Sequence, residues 1–151
     1  MRFTIRFLAG FAAALAMLLC GGTQSPAQTV AVFTKNQNSP IFSAFRAGAG
    51  VAGKNLGVQV INYVPSTADS VAEQNRLVED AIKDKPDAIV FVPVDYTKAA
   101  GAVGKINAAN IPLINANERL SGGTMVGYVG TDDATLGKVT GQYLLDRKSV
   151  V

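Results

Sequence analysis

From residue 29 onward, short apolar runs rich in β-branched residues alternate with longer segments in which apolar residues recur every three or four positions. Short runs of this kind are typical of buried parallel strands, and the longer segments are typical of amphipathic helices. The pattern predicts an α/β fold, a doubly wound, Rossmann-like parallel sheet, whose most hydrophobic third strand lies centrally. The predicted strands are Thr29 to Phe33, Val58 to Ile61, Ala88 to Val92, Ile111 to Ile114 and Met125 to Val129.

Capping residues predict where the first two helices begin. Ser39 followed by Pro40 is typical of a helix start, and this helix should end near residues 55–57. Ser70 and Glu73 have the spacing of a capping box and predict the start of the second helix. Helical spacing predicts inward stripes of Ile41, Phe45, Ala49 and Ala52 on the first helix and of Val71, Val78, Ala81 and Ile82 on the second.

Two further helices are predicted from the same signals. Asp95 is expected to cap the third, which should run to about Asn107. Its inward residues should be Ala99, Val103 and Ile106, and the last helix is outlined by Leu136, Val139, Tyr143 and Leu144.

The first 27 residues are predicted to be a signal peptide that is cleaved after Ala27. Arg2 and Arg6 precede an apolar run, and small residues occupy the positions that a signal peptidase reads. Two alternatives are an uncleaved transmembrane anchor, for which the run is short, and a lipoprotein modified at Cys20, which bulky preceding leucines disfavour. The mature protein is therefore expected to begin near Gln28 and to lie outside the cytoplasm.

Removal of the signal peptide would lower the formal net charge from +3 to +1 and would remove the single cysteine. The chain also has no histidine or tryptophan. Without cysteine, the mature protein cannot form disulfides or thiolate metal sites, and without histidine it cannot form histidine metal sites or histidine-activated nucleophiles. Near-neutral charge without a basic cluster argues against nucleic-acid binding. We expect no cofactor, no metal and no catalytic residue.

One motif matches a known fingerprint in the wrong context. Gly48, Gly50 and Gly53 fit the dinucleotide pattern G-x-G-x-x-G, which functions only where a strand turns into a helix. Here the glycines fall in the second half of the first predicted helix. They are interpreted as a small-residue face that packs closely on the sheet.

Polar residues follow several of the predicted strands, at the sheet edge where ligands bind in parallel α/β folds. Their amides, hydroxyls and carboxylates suit a polyhydroxylated ligand. Structural roles compete with this one: Asp95 and Asp133 as helix caps, Asn115 and Asn117 as turn residues, and Glu118 with Arg119 as a solvated surface pair.

The chain resembles the N-terminal half of a type 1 periplasmic binding protein, the family of ribose-, galactose- and xylose-binding proteins. The resemblance covers residues 29–145 and is carried by a set of short segments. These are the signal peptide, the first strand, Asn38 to Phe42, the strand–helix spacing, Asn110 to Ile114, and Gly130 to Asp133 followed by Gly137-Lys138 and Gly141 to Tyr143.

The resemblance implies a set of ligand contacts. Lys35 and Ser39 would lie in the first contacting loop, and Phe42 would stack on a sugar face. Phe42 is predicted to face the open edge because Ile41 and Phe45 already supply the core stripe. The acidic–Arg pair of the family corresponds either to Asn117 and Glu118 or, with a one-residue insertion, to Glu118 and Arg119, and Thr131 with Asp132 completes the predicted site.

The resemblance also implies a function and a domain plan. The protein would be the extracytoplasmic subunit of a sugar ABC importer, would bind a monosaccharide-like ligand between two lobes, and would meet the membrane only through the partner permease. Residues 28–131 would form the N-terminal lobe and residues 132–151 the start of a second lobe. Alternatives are a sugar sensor that feeds a chemoreceptor, a non-functional fragment, or an enzyme that relies on Glu118 and Asp132.

Overall fold

The computed structural model describes residues 27–148, so the predicted signal segment up to residue 26, with Cys20, lies outside the described residues. The described part alternates strands and helices as the apolar pattern predicts. The elements are β1 (Thr29–Phe33), α1 (Pro40–Leu56), β2 (Gln59–Tyr63), α2 (Val71–Asp84), β3 (Ala88–Phe91), α3 (Ala100–Ala108), β4 (Leu113–Ala116), β5 (Gly127–Val129) and α4 (Asp133–Lys148).

All five strands are parallel and lie in the order β2-β1-β3-β4-β5. The α/β doubly wound class is confirmed, and β3 lies in the centre of the sheet as its hydrophobicity predicts. Because the strands are parallel, all of their carboxyl ends lie at one edge. The loops that follow β1, β3, β4 and β5 therefore meet there.

The main core lies between the sheet and the pair α2 and α3. Val78 and Ala81 of α2 and Val103 and Ile106 of α3 are buried against β1, β3 and β4, which confirms their predicted inward positions. The Phe33 ring stacks on the Tyr63 ring with centroids 4.9 Å apart. Burial of this cluster away from water is the main stabilising term.

The helix α1 packs on the opposite face of the sheet, because Gly53 contacts Val60, which is in register with Val30 on the face away from Ala31 and Phe33. A Cβ at Gly53 would lie 2.7 Å from Val60 Cγ2 and 2.8 Å from the Val58 carbonyl oxygen. The three glycines thus lie within a helix, but the predicted close packing holds for Gly53 alone, since a Cβ at Gly48 or Gly50 would meet nothing within 4 Å.

The predicted inward stripe of α1 is wrong in part. Ile41 is 73% exposed and Ala52 is exposed, whereas Phe42, Phe45 and Ala49 are half-buried on the stripe that ends at Gly53. The inward face is rotated by about one residue from the predicted one. Phe42 was predicted to face outward because Ile41 was expected to fill the core. Ile41 is exposed, so that argument for Phe42 no longer holds.

Most predicted strand boundaries differ from the structure by one or two residues: β2 runs from Gln59 to Tyr63 rather than from Val58 to Ile61, β3 ends at Phe91 rather than Val92, and β5 begins at Gly127 rather than Met125. The strand β4 begins at Leu113 rather than Ile111 and continues through Asn115. Asp95 does not cap α3, because the N-cap of that helix is Ala99. The Asp95 carboxylate instead accepts hydrogen bonds from the N–H and the hydroxyl of Thr97, in the turn before the helix. These bonds lower the pKa of Asp95.

The cap of α4 is Asp132 rather than the predicted Asp133. Its carboxylate accepts hydrogen bonds from the N–H groups of Ala134 and Thr135, at 3.1 and 3.2 Å, and from the Thr135 hydroxyl at 2.8 Å. Asp133 is instead the first residue of the helix.

The helix α4 packs on little of the described structure. Leu136, Val139, Tyr143 and Leu144 are 55–62% exposed, and none of residues 133–147 is buried. Between residues 27 and 148, no helix is both long and apolar enough to cross a membrane.

Candidate ligand-binding site

A cavity of about 620 Å³ lies at the carboxyl ends of β4 and β5. This is the edge at which parallel α/β sheets bind ligands, and the volume is within the usual range for small-molecule sites. Its lining consists of Tyr96, Asn117, Glu118, Arg119, Tyr128, Thr131, Asp132 and Asp133.

Five of the eight predicted contact residues line this cavity: Asn117, Glu118, Arg119, Thr131 and Asp132. Lys35 reaches it indirectly, through an ion pair with Glu118. Ser39 and Phe42 lie at the start of α1 and are not part of the lining. The structure thus brings together residues from both register alternatives, while their contacts with a ligand remain predictions.

Tyr128 is the central residue of the site and was missed by the sequence analysis. Its hydroxyl donates to the carbonyl oxygens of Asn117, at 2.7 Å, and of Thr131, at 3.3 Å. The Arg119 guanidinium lies over its ring, 4.3 Å from the centroid. The available signal was an aromatic residue in the last strand, two residues before the segment that begins at Gly130.

Two backbone positions allow the loops to approach Tyr128 so closely. Asn117 has a φ of 67° and donates its N–H to the Val129 carbonyl oxygen at 2.8 Å. A Cβ at Gly130 would lie 2.2 Å from the Tyr128 hydroxyl and 2.5 Å from the Asn117 carbonyl oxygen. Asn117 therefore is a turn residue, and it also lines the cavity.

The interpretation of Glu118 and Arg119 as a surface pair is wrong. Glu118 pairs with Lys35, while Arg119 stacks on Tyr128. Asp132 has a lowered pKa because its carboxylate is hydrogen-bonded by Thr135 and, in smaller part, because the Arg119 charge is near. The neighbouring side chains of Glu118 and Arg119 therefore contact different partners and not each other.

Asn115 fixes the loop that presents Glu118 and Arg119. It is fully buried, and its side-chain amide donates to the carbonyl oxygens of Phe91, at 3.2 Å, and Glu118, at 3.0 Å. Its oxygen accepts the Leu120 N–H at 3.0 Å. The polar residue is therefore tolerated in the core because its hydrogen bonds are made. Asn115 acts here as a support of the loop and not as part of the cavity lining.

The loop between β1 and α1, residues 34–39, is held by Arg46. The guanidinium donates to the Thr34 hydroxyl at 2.9 Å and to the carbonyl oxygens of Asn36 and Gln37 at 3.0 and 3.1 Å. This arrangement holds the Thr34 side chain and the Asn36 backbone, the two neighbours of Lys35 in the loop. Ser39 is the N-cap of α1 as predicted, although its side chain makes no capping hydrogen bond.

The buried side chain of Gln74 supports the loop after β3. The Gln74 side chain donates to the Val92 carbonyl oxygen and accepts from the Val94 N–H, both at 2.9 Å. Loops after three strands are thus fastened by Arg46, Gln74 and Asn115. Fixed loops of this kind hold their polar groups in place before a ligand arrives.

The chemistry available in the cavity is hydrogen bonding and stacking. Among the described residues no group of three potential metal-binding side chains occurs. The lining offers carboxylate and carbonyl acceptors, guanidinium and hydroxyl donors, and two aromatic rings. This combination suits reversible binding of a polar molecule.

The model of the periplasmic binding protein domain family matches residues 30–149. The chain belongs to that family. The match begins at the second residue of β1 and includes every later strand and helix and all residues of the cavity lining.

Several members of the periplasmic binding protein family are similar to the chain. It is 26% identical over 116 residues to the ribose import binding protein of Escherichia coli K12 and 31% identical over 112 residues to the D-apiose import binding protein of Paraburkholderia graminis. These alignments cover 77% and 74% of this chain but only 38% and 35% of those proteins. The chain thus spans well under half the length of these relatives.

A solved structure has the same fold. The glucose-galactose binding protein from Geobacillus stearothermophilus superposes with a TM-score of 0.73 at 23% identity, over 83% of this chain and 44% of that one. The sheet and its helices therefore form a periplasmic-binding-protein lobe.

Proposed function

We propose that this chain supplies the N-terminal lobe of the extracytoplasmic solute-binding subunit of a sugar ABC importer. Its ligand would be a monosaccharide or a similar polyhydroxylated molecule, bound without chemical conversion. The proposal is supported by family membership and by relatives whose names are those of sugar import binding proteins. A transport permease would be the membrane partner.

The observation that carries the proposal is the cavity at the carboxyl edge. Acceptors from Glu118 and Asp132 and donors from Arg119 lie within one opening beside the Tyr96 and Tyr128 rings. Sugars present hydroxyls at their rim and apolar C–H groups on their faces, so both features of the lining are complementary to them.

A second lobe is part of the proposal. Residues 28–131 would form the first lobe, and α4, within residues 132–151, would begin the second. The exposed apolar side chains of α4 support this division, since they need a partner surface that the sheet does not provide. Ser39 and Phe42 would then contact a ligand that lies across the edge between both lobes.

Export would place the protein in the periplasm, with cleavage after Ala27. N-terminal sequencing of the secreted protein should begin at Gln28. A mature protein that begins at a lipid-modified Cys20 would contradict a freely diffusing subunit.

The test of sugar binding is an NMR titration of the ¹⁵N-labelled chain with D-ribose, D-xylose and D-galactose. With one lobe, polar groups stay hydrated and gain little on binding, so we expect millimolar or weaker affinity. Amide shifts should concentrate at residues 117–119 and 128–133. Shifts spread evenly over the sheet, or none with any sugar, would contradict the proposal.

A matched pair of variants locates the site. Arg119→Met should abolish the shifts because it removes the stacked guanidinium from the cavity. Arg76→Met changes an exposed arginine of α2 outside the cavity and should leave the titration unchanged. Equal effects of both substitutions would indicate non-specific association with sugar.

A further inference from the structure

We propose that Tyr128 is a positioning residue whose hydroxyl fixes the path of the chain from β5 into α4 and thereby sets the direction of α4 relative to the sheet. The inference goes beyond the proposed function, because it concerns the chain without a ligand. It therefore holds or fails independently of whether a sugar binds.

Packing does not set the direction of α4. The helices α1, α2 and α3 pack on the sheet or on one another, whereas between residues 27 and 148 α4 forms no comparable packing with another element. The side-chain hydrogen bonds that Thr140 and Gln142 donate both stay within the helix. The orientation of α4 therefore depends on residues 130–132, the segment that connects it to β5.

The Tyr128 side chain lies where this connecting segment meets the loop after β4. Its hydroxyl contacts the carbonyl oxygens of Asn117, at 2.7 Å, and of Thr131, at 3.3 Å. A hydroxyl carries one hydrogen, so the two acceptors share it and the shorter bond is the stronger. Gly130 packs against the same hydroxyl, since a Cβ there would lie 2.2 Å from the oxygen. The segment thus bends directly around the end of the tyrosine side chain.

The other side of this contact is fixed to the core. Asn117 follows the buried residue Ala116 and donates its N–H to the Val129 carbonyl oxygen at 2.8 Å. The Arg119 guanidinium lies over the Tyr128 ring, 4.3 Å from its centroid, and holds the ring from one face. Tyr128 therefore connects a fixed loop with the segment that leads out of the sheet.

The contact at Thr131 is transmitted to the whole of α4. One residue, Asp132, lies between Thr131 and the helix, and its carboxylate caps the helix by accepting from the N–H groups of Ala134 and Thr135. A rotation of about 20° at residue 131 would move the far end of this 16-residue helix, which is about 24 Å long, by roughly 8 Å. A small contact at Tyr128 therefore has a large effect at the other end of α4.

The test measures the distance between spin labels on α2 and α4 by double electron–electron resonance. Labels are attached at Arg76→Cys and Lys138→Cys in a chain with Cys20→Ser. Excess unlabelled chain ensures that only distances within one molecule are recorded. With Tyr128 in place we expect one narrow distribution. Tyr128→Phe keeps the ring but removes the hydroxyl, and it should broaden the distribution about twofold because the helix amplifies small rotations at its start.

A second tyrosine hydroxyl provides the matched control. Tyr63 donates to the Asp84 carboxylate at 2.6 Å and so links β2 to α2. Because Val78 and Ala81 also hold α2 against the core, loss of this bond should not redirect a helix. Tyr63→Phe should therefore give the same narrow distribution as the unmodified chain.

A pair of glycine variants tests the same contact without removing the hydroxyl. Gly130→Ala introduces a Cβ that cannot fit beside the Tyr128 oxygen, so it should displace the connecting segment and broaden the distribution. Gly137→Ala, where a Cβ would meet nothing within 4 Å, should keep the distribution narrow.

Broadening in the Tyr128 and Gly130 variants, with both controls narrow, would support the inference. A broad distribution in the unmodified chain would overturn it, as would equal broadening in Tyr63→Phe. An unchanged distribution in either Tyr128→Phe or Gly130→Ala would also overturn it, and the variant that folds decides if the other does not. Because no sugar is added, a failure of sugar binding would count against the proposed function alone.

Discussion

The helices α3 and α4 carry similar kinds of apolar side chain but differ completely in burial. Ala102, Val103 and Ile106 of α3 are at most 2% exposed, whereas Leu136, Val139 and Leu144 of α4 are at least 55% exposed. The difference lies in what each helix faces. The first faces the sheet and α2, and the second extends beyond the last strand. Apolar spacing therefore predicts that a helix has an apolar face. It does not predict which surface, if any, that face packs against.

The largest test of this contrast compares truncations in the two helices. Ile106→Ala removes a fully buried side chain and should lower the free energy of unfolding by about 2–5 kcal/mol. Leu144→Ala, at a position 60% exposed, should change it by less than about 0.5 kcal/mol. Urea unfolding of the chain measures both.

The result would be informative in either direction. A cost of 2 kcal/mol or more for Leu144→Ala, judged against the buried-leucine range, would show that α4 packs on a surface in solution. Ile106→Val is a smaller truncation of the same core and should cost about 0.5–1.5 kcal/mol, which keeps the comparison measurable if the alanine variant does not fold.

The second test uses glycines in a packed and an unpacked helix. Gly53→Ala in α1 places a Cβ 2.8 Å from the Val58 carbonyl oxygen and should cost about 1–3 kcal/mol. Gly137→Ala in α4 meets nothing within 4 Å and should stabilise that helix by up to about 1 kcal/mol. Circular dichroism during urea unfolding reports both changes. A neutral Gly53→Ala would mean that α1 can move away from β2.

Much of the fold could be predicted because local signals agreed with the tertiary structure. The strand β1 matches its predicted bounds, and Ser70 caps α2 by accepting the Glu73 N–H at 3.3 Å. The Glu73 carboxylate departs from the capping box: it accepts the Ser66 and Thr67 N–H groups. That choice depends on where the preceding loop lies, and sequence spacing does not encode it.

Two of the errors share one cause, which is a polar side chain that forms hydrogen bonds inside the structure. Arg46 is half-buried on the inner face of α1 because its guanidinium holds carbonyl groups of the loop that precedes the helix, and a hydrophobic stripe cannot predict such a residue. Asn115 extends β4 past its predicted end for the same reason.

The site could be predicted only as far as the carboxyl-edge rule reaches. That rule gave Asn117, Glu118, Arg119 and Thr131 with Asp132, which line the cavity. The central position of Tyr128 and the partner of Lys35 required knowledge of which loops touch. Contacts between loops about 80 residues apart leave no periodic trace in the chain.

A third test concerns the exposed stripe of α4. Leu136, Val139 and Tyr143 recur on successive turns and are each at least 55% exposed, so the chain should self-associate in light scattering. Replacing all three with serine should lower the apparent mass towards that of a monomer. The control replaces Ile41, Val51 and Leu56 of α1, which are as exposed but scattered around the helix, and should change little. A clean monomer before substitution would contradict the expectation.

The smallest test compares two carboxylates that hold the starts of α2 and α4. The pKa of Glu73 is lowered from 4.5 to about 2 because the Ser66 and Thr67 N–H groups donate to it, and that of Asp132 is lowered chiefly by Thr135. A group with a depressed folded-state pKa stabilises the fold above its ordinary pKa, and this contribution is lost as the pH falls. For Glu73 the loss should occur between pH 4.5 and about 2.

Glu73→Gln should therefore flatten the fall of the urea midpoint over this range. Asp132→Asn should leave the curve parallel to that of the unmodified chain, because α4 contributes little to the packed core; equal flattening in both variants would show that α4 unfolds together with the sheet.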